Sequence, residues 1–465
     1  MSGLFRGEVD GILSDITFFG DHFQWETLGT GTRSRVPADS IVAVIPVGSE
    51  NILLYLKHEG DEGGKDKKNI SLETLNLSGL PPSGFFSKYT GSLPPYLAAP
   101  GPEGASSNVH IVLSTLSGTQ GASVFFSNAL KPLLSYLKLK AYEVHETRSA
   151  ETIIELAKDV FLPRALSGHP QTIILLSGDG GLIDLIKVFS EVPEDAAFTK
   201  PVVCLIPMGT GNGTANSTGL LSDSTFGLSS LLRGSPKDLP AFRVRLPPGS
   251  MYVADEGRER IPVADAGQEA DIYGVVVASW GMHASLVADS DTAEYRKFGV
   301  DRFKMAAKEL LHPSDGSESH RYRGTITLVK KSSTTGLEEE HLVDRESHMY
   351  VLVTLVSQLE KGFMISPSSE PLDGQLRIVH FGPVAPGRAM ELMGLAYQGG
   401  KHTEEPEVGY AAVEAVRIRL TEDGDDASER WRRLCIDGKI VSVPVDGESC
   451  IEVRRSQRFF CQLVM

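Results

Sequence analysis

Cysteine is scarce. The 465 residues hold four, Cys204, Cys435, Cys450 and Cys461, none in CxxC spacing. That excludes a disulfide-stapled scaffold and a cysteine zinc site, and reads as reduced thiols in a reducing compartment. Long apolar runs are also missing. The longest, 273–288, is broken by Trp280, His283 and Ser285, and 349–355 is far short of a membrane span. No apolar run follows a basic start, so no signal peptide is expected, and Met-Ser-Gly does not place glycine at position 2 for myristoylation. Positive charge is in deficit: 45 Lys and Arg face 60 Asp and Glu, a net charge of −15. This argues against nucleic acid as the main partner and against general attraction to anionic membranes. What remains is ordinary globular composition, 41% hydrophobic and 23% charged, with length for two or three domains.

Two familiar phosphate-binding patterns are absent as well: no G-x-G-x-x-G follows a strand, and no Lys follows a Walker-type turn. The chain instead centres on 171–219, which contains two similar halves. An apolar run, 173–176 or 202–206, reads as a buried strand. A glycine turn follows, Ser177-Gly178-Asp179-Gly180-Gly181 in one half and Gly209-Thr210-Gly211-Asn212-Gly213 in the other, and a helix begins behind each. Two βα units of this kind predict a parallel sheet with a ligand crevice outside the strand ends. Glycines let backbone amides approach an anion, so the pair reads as a phosphate cradle. Asp179 is the only acid in either loop. Beside phosphate, an acid holds a divalent cation or accepts a proton from an attacking hydroxyl.

The rest of the chain is read around this centre. Residues 1–104 form a small β-rich module with strands near 12–25, 34–46 and 51–57, a charged loop at 59–68 and a Gly/Pro/Ser linker at 81–104. An α/β domain spans 105–240, with a strand at 109–113, a helix at 122–137, a strand at 141–144 and a helix at 150–160. A helix and a turn at 220–240 lead out of it. Short strands dominate 241–465, at 242–246, 251–253, 273–278, 324–329, 350–355, 375–381, 412–420, 433–436 and 449–453, which predicts an antiparallel β-sandwich. An exposed hairpin tip lies within 313–347, and 404–407 is an acidic loop. The fold class is therefore α/β + β: an N-terminal β module, a Rossmann-like nucleotide-binding domain, a C-terminal sandwich, and the active site in the interdomain cleft.

Ser177-Gly178-Asp179-Gly180 and Pro207-Met208-Gly209-Thr210-Gly211-Asn212 resemble the paired signatures of the diacylglycerol/sphingosine kinase superfamily, whose distant relatives include NAD kinases. The segment VVVASWGMHASLVADSDTAEYRKFGVDRF (275–303) is similar to sphingosine kinases in its Ser-Trp-Gly, Tyr-Arg and Arg-Phe elements. The resemblance implies ATP as phosphoryl donor, Mg²⁺ bridging its phosphates, and a lipid as acceptor. Asp179 is then the catalytic base. Nucleotide contacts fall to Ser114, Thr115 and Leu116 (where relatives carry Asn-Pro), Thr147, Asp184, Gly209, Thr210, Gly211, Asn212, Arg296, Arg302, Asp437 and Gly438. Thr147 also reads as a helix N-cap. Substrate contacts fall to Ser177, Gly178, Gly180 and Asp289, with Ser285 the rival of Asp289. Trp280 and His283 read as core or cleft wall. A protein ligand for the metal is unknown, Asp373 being one candidate in an Asp-Gly turn. Four departures from the family pattern stand out: Ser114-Thr115 for Asn-Pro, Asp184 for Glu, Lys439 for the Glu of a late Asp-Gly-Glu, and Gly181 where Thr or Leu is usual.

The expected activity is phosphoryl transfer to a sphingoid-base hydroxyl. The alternatives are diacylglycerol or ceramide as acceptor, a weakened relative that binds nucleotide or lipid, and a kinase of a soluble substrate such as NAD. A lipid substrate brings peripheral membrane contact and a cytoplasmic location as expectations.

Overall fold

The computed structural model describes residues 4–58, 70–79, 83–98, 107–116, 118, 120–299, 301–425, 428–444 and 450–465. The charged loop at 59–68 and all of 99–106 lie outside them. Of the stretch read as a linker, 83–98 carries two short helices, Ser83–Tyr89 and Pro95–Ala98.

The central strand Thr172–Ser177 is buried at every position. Its two faces feed different cores: Ile173 and Leu175 join one apolar cluster, Ile174 and Leu176 another. A strand covered on both faces reads as an unbroken apolar run, as seen in the sequence. It lies between Val109–Leu113 and Val202–Pro207, all parallel, with Glu143–Glu146 outside the former. On the other side Gln462–Val464 pairs parallel with Val202–Pro207 and antiparallel with Pro236–Asp238. The last strand of the chain thus completes the first sheet, so a division at residue 240 does not separate the sheets cleanly. The 220–240 stretch holds the short helix Leu228–Arg233 followed by that edge strand.

Residues 4–78 form a seven-stranded antiparallel sheet. Val42, Ala43, Leu54, Leu56 and Ile70 from it share one apolar cluster with Ile111, Ile174, Ile206, the helical run 122–136 and Leu228–Arg233. Two further sheets, of seven and eight strands, come from 242–455. They pack face to face through Val244, Ile326, Ile418 and Val453 on one and Trp280, Val351, Ile378 and Leu434 on the other. The back of the larger sheet (Leu352, Val379, Phe381) joins the cluster that also contains helix Asp179–Ser190. Two runs read as single strands are each split: 273–278 falls across Ala270–Gly274 and Val277–Gly281, and 412–420 across Val408–Ala412 and Ala415–Leu420. The 313–347 segment carries the hairpin Tyr322–Lys331 and Glu338–Leu342, whose Leu337 and Leu342 are exposed.

Candidate functional site

Both glycine turns lie at the carboxyl ends of adjacent parallel strands, and they touch. A Cβ added at Gly209 would lie 2.5 Å from the Gly178 Cα, and one at Gly178 would lie 2.8 Å from the Gly209 Cα. Glycine is required at both because backbone meets backbone, closer than a Cβ allows. Gly118 enters the same junction: with φ +55°, its Cβ would meet the Met208 carbonyl oxygen at 2.0 Å. Gly180 has open space on its side-chain face.

Asp179 begins helix Asp179–Ser190. Its carboxylate accepts the amides of Gly213 (2.6 Å) and Thr214 (3.0 Å), the first residues of helix Gly213–Ser217. The acid of one loop thus holds the helix behind the other, an N-capping arrangement made by a residue 34 positions away. Burial raises its pKa, and the amide hydrogen bonds offset part of the rise. A carboxylate with a raised pKa is a stronger proton acceptor.

The amides of the second loop are divided. Asn212, in the left-handed region at φ +56°, turns its side chain back. Its Oδ1 accepts from the Gly209 amide at 3.0 Å and its Nδ2 donates to the Gly209 carbonyl at 2.8 Å. The Gly209 amide, expected to face a phosphate, is therefore engaged within its own loop. Among the described residues the amides of Thr210, Gly211 and Asn212 donate to no acceptor, and Thr210 is exposed. A Cβ at Gly211 would meet the Leu359 carbonyl oxygen at 3.1 Å, and one at Gly213 would meet the Gln358 carbonyl oxygen at 3.1 Å.

At the neighbouring strand end, the Thr115 amide donates to Thr147 Oγ1 at 3.0 Å, and Thr115 Oγ1 donates to the Thr147 carbonyl at 2.7 Å. Thr147 therefore fixes the 114–116 turn rather than capping the next helix, which starts at Thr152. Ser114 is buried beside it and Leu116 is exposed.

Asp437 and Gly438, both at positive φ, form the two-residue turn of a hairpin between Arg433–Ile436 and Lys439–Ser442. The Asp437 carboxylate accepts three consecutive amides, Val275 (2.7 Å), Val276 (3.0 Å) and Val277 (2.6 Å). Burial lifts its pKa to about 7 against the pull of those amides, and the negative charge of Asp179 adds to the rise. Lys439 Nζ donates to Asp184 Oδ1 at 2.9 Å, across 255 residues. A cavity of about 220 Å³ opens beside this turn, lined by Lys187, Tyr252, Tyr273, Asp437 and Lys439. Lys187, Tyr252 and Tyr273 carried no sequence signal: each sits in an ordinary amphipathic or strand pattern.

Several expected contacts are engaged elsewhere. Asp289 pairs with Arg433 at 2.7 Å and Arg430 at 3.6 Å, so its charge is already balanced. Its rival Ser285 is buried and accepts from the Tyr322 hydroxyl at 2.8 Å. Arg302 pairs with Asp291 at 3.4 Å. Arg296 ends helix Ala293–Arg296, and its side chain lies outside the described residues. Ser177 is buried under Gly181, where a Cβ would meet its Oγ at 2.5 Å. Trp280 is core, donating to the Trp431 carbonyl, and burial lowers the His283 pKa to about 4. Asp373 accepts the amides of Glu370 and Gln375 and pairs with Arg377 at 2.9 Å, closing its own turn.

The donor set can be tested against a protein-held Mg²⁺, which favours several free oxygen ligands. Asp179 is occupied by two amides, Asp437 by three, and Asp184 by an ammonium. These residues do not fit a cation ligated directly by protein carboxylates.

Residues 108–244, which hold both glycine turns, match the family described as diacylglycerol kinase catalytic domain. Sphingosine kinase 1 of Arabidopsis thaliana is 20% identical over 239 residues, covering 48% of this chain and 43% of the relative. Sphingosine kinase 1 of Mus musculus is 24% identical over 328 residues, covering 64% and 78%. The chain thus spans under half the length of the plant relative. A crystal structure of a diacylglycerol kinase from Bacillus anthracis str. Sterne overlaps 77% of this chain and 96% of its own at 11% identity, with a TM-score of 0.45. The catalytic-domain match and the two curated relatives thus agree on what this chain is similar to: residues 108–244 resemble a diacylglycerol kinase catalytic domain, and the relatives are sphingosine kinases.

Proposed function

We propose that the chain transfers the γ-phosphoryl group of ATP to a hydroxyl of a sphingoid long-chain base, in a cleft between the α/β sheet and the sandwich. The observation that carries this reading is the junction itself. Two glycine turns abut, three amides of the second lack acceptors among the described residues, and one carboxylate with a raised pKa sits where they meet. The amides of Thr210, Gly211 and Asn212 orient the phosphate tail. The lipid hydroxyl oxygen attacks the γ-phosphorus, forming the new O–P bond. The β–γ bridging P–O bond breaks, and its electron pair leaves with ADP. Asp179 takes the hydroxyl proton on a carboxylate oxygen. A positioned base of this kind contributes typically about 10² to 10⁴-fold. Positioning of the phosphates supplies further stabilisation.

The sphingoid acceptor is supported by the 275–303 segment and by the two curated relatives. Diacylglycerol or ceramide is the alternative. A lipid acceptor brings transient contact with a membrane surface, and a cytoplasmic location goes with it. No helix among the described residues is long and apolar enough to cross a membrane. A second reading, a relative that binds nucleotide with weakened transfer, is favoured by one observation, the Lys439–Asp184 pair. One experiment separates these: purified protein with γ-labelled ATP, Mg²⁺ and separate pools of sphingoid base, diacylglycerol, ceramide and NAD. Label in the sphingoid pool is the expected result. Label confined to another pool reassigns the acceptor, and nucleotide binding with no labelled pool supports the second reading.

A further inference from the structure

Away from the glycine turns, the parallel sheet carries a second group of titratable side chains. His110 is level with Ile173, near the amino ends of strands whose neighbours bear the glycine turns at their carboxyl ends. It is in register with Glu143 on the edge strand, and His145 stands two residues further on, so all three share one face. Phe161 packs against both imidazoles, with ring centroids 5.1 and 6.1 Å away. His110 Nδ1 and His145 Nε2 face each other at 3.2 Å, and Glu143 Oε2 lies 3.7 and 3.9 Å from them. The last two separations exceed a hydrogen bond. Bonds of about 2.0–2.2 Å to Zn²⁺ set tetrahedral donors about 3.3–3.5 Å apart, so small shifts of the Glu143 side chain, which is 32% exposed, complete the set. Burial lowers the pKa of both histidines, that of His110 to about 4, so both rings are neutral at neutral pH, the form that ligates metal. Arg164 is the competing charge. Its Nη1 lies 3.1 Å from His110 Nε2, the other ring nitrogen, and donates to the Ser107 carbonyl at 2.6 Å, while Nη2 is 3.9 Å from Glu143 Oε1.

We propose that His110 Nδ1, His145 Nε2 and the Glu143 carboxylate form a site for a divalent transition-metal ion of the Zn²⁺ class, with one position left to water. The ion takes the place of the proton shared between the two rings. That proton moves to His110 Nε2, and Arg164 turns away from this nitrogen while keeping the Ser107 carbonyl. The ion ties the edge strand Glu143–Glu146 to Val109–Leu113, and the same two strands lead into the Thr115–Thr147 clamp. The role is structural and independent of phosphoryl transfer.

The test is titration of tag-free, nucleotide-free full-length protein with Zn²⁺ by calorimetry and with Co²⁺ by visible absorption. The parent should bind one equivalent of each, with a tetrahedral Co²⁺ spectrum that lacks a thiolate charge-transfer band, and Zn²⁺ should raise its Tm and slow hydrogen exchange over 143–147. His145→Ala should abolish the site and Glu143→Gln should weaken it at least about tenfold. Both side chains are partly exposed, so these variants spare the buried His110 and the core. Arg164→Gln removes the competing charge and should tighten binding by about tenfold. A parent with no saturable site, or a site unchanged in both His145→Ala and Glu143→Gln, overturns the proposal. Binding that fails to tighten in Arg164→Gln overturns the exchange of Arg164 for the ion.

Discussion

Asp179 does two jobs with one carboxylate. It holds the amides of Gly213 and Thr214, and in the proposed reaction it accepts a proton. A base works only when deprotonated, so activity should fall as pH falls through its pKa. Burial has raised that pKa, so the acidic limb of kcat/KM should lie above the usual carboxylate range. Asp437 also makes a stability prediction. Its folded pKa, about 7, exceeds the value of about 3.9 in an unfolded chain, so between these pH values the folded form holds a proton that the unfolded form has lost. Stability should therefore decline as pH rises from about 4 to about 7 and level off above. Thermal melts across that range check this, and Asp437→Asn should flatten the slope. Asp179 was legible in the sequence because it is the only acid in either glycine turn. The anchoring of Asp437 was not, since the amides it accepts lie 160 to 162 residues away.

The turns act as a packed pair. Gly178→Ala or Gly209→Ala would drive a Cβ into the facing backbone, and overpacking of this kind costs about 1–3 kcal/mol. Both variants should lower Tm and raise KM for ATP together, whereas Gly180→Ala, which faces open space, should leave Tm unchanged. The neighbouring turn depends on Thr147. Thr147→Val removes the acceptor for the Thr115 amide, and a buried donor left unsatisfied costs about 1–3 kcal/mol. Faster hydrogen exchange at Thr115 would report it; unchanged exchange would show that the clamp is not what orders the turn. The strand-turn-helix order was readable from apolar runs ending in glycines. The division of labour among the amides was not. It depends on Asn212 folding back over Gly209 in a left-handed conformation, which the residue type permits but does not announce.

The molecule as a whole is less divisible than its sequence suggests. The first sheet, read as a separate module, shares an apolar cluster with the parallel sheet. The final strand fills a place between Val202–Pro207 and Pro236–Asp238. Deleting residues 1–98 should expose Ile111, Leu133, Leu134 and their neighbours and yield aggregated protein. Removing 461–465 should do the same by opening the sheet and losing Cys461, Leu463 and Val464 from the core. Soluble truncated proteins with the parent Tm would contradict this. Strand content was visible from composition and turn residues. The return of the last strand was not, because three residues carry no pairing information. The proposal that joins these scales is that the lone carboxylate between two touching glycine turns accepts the proton of a lipid hydroxyl. Its most direct test is single-turnover phosphoryl transfer from labelled ATP to a sphingoid base, parent against Asp179→Asn. The predicted result is a loss of about 10²-fold or more in the transfer rate, with nucleotide affinity retained and Tm lowered only by the lost cap; transfer at the parent rate would contradict it.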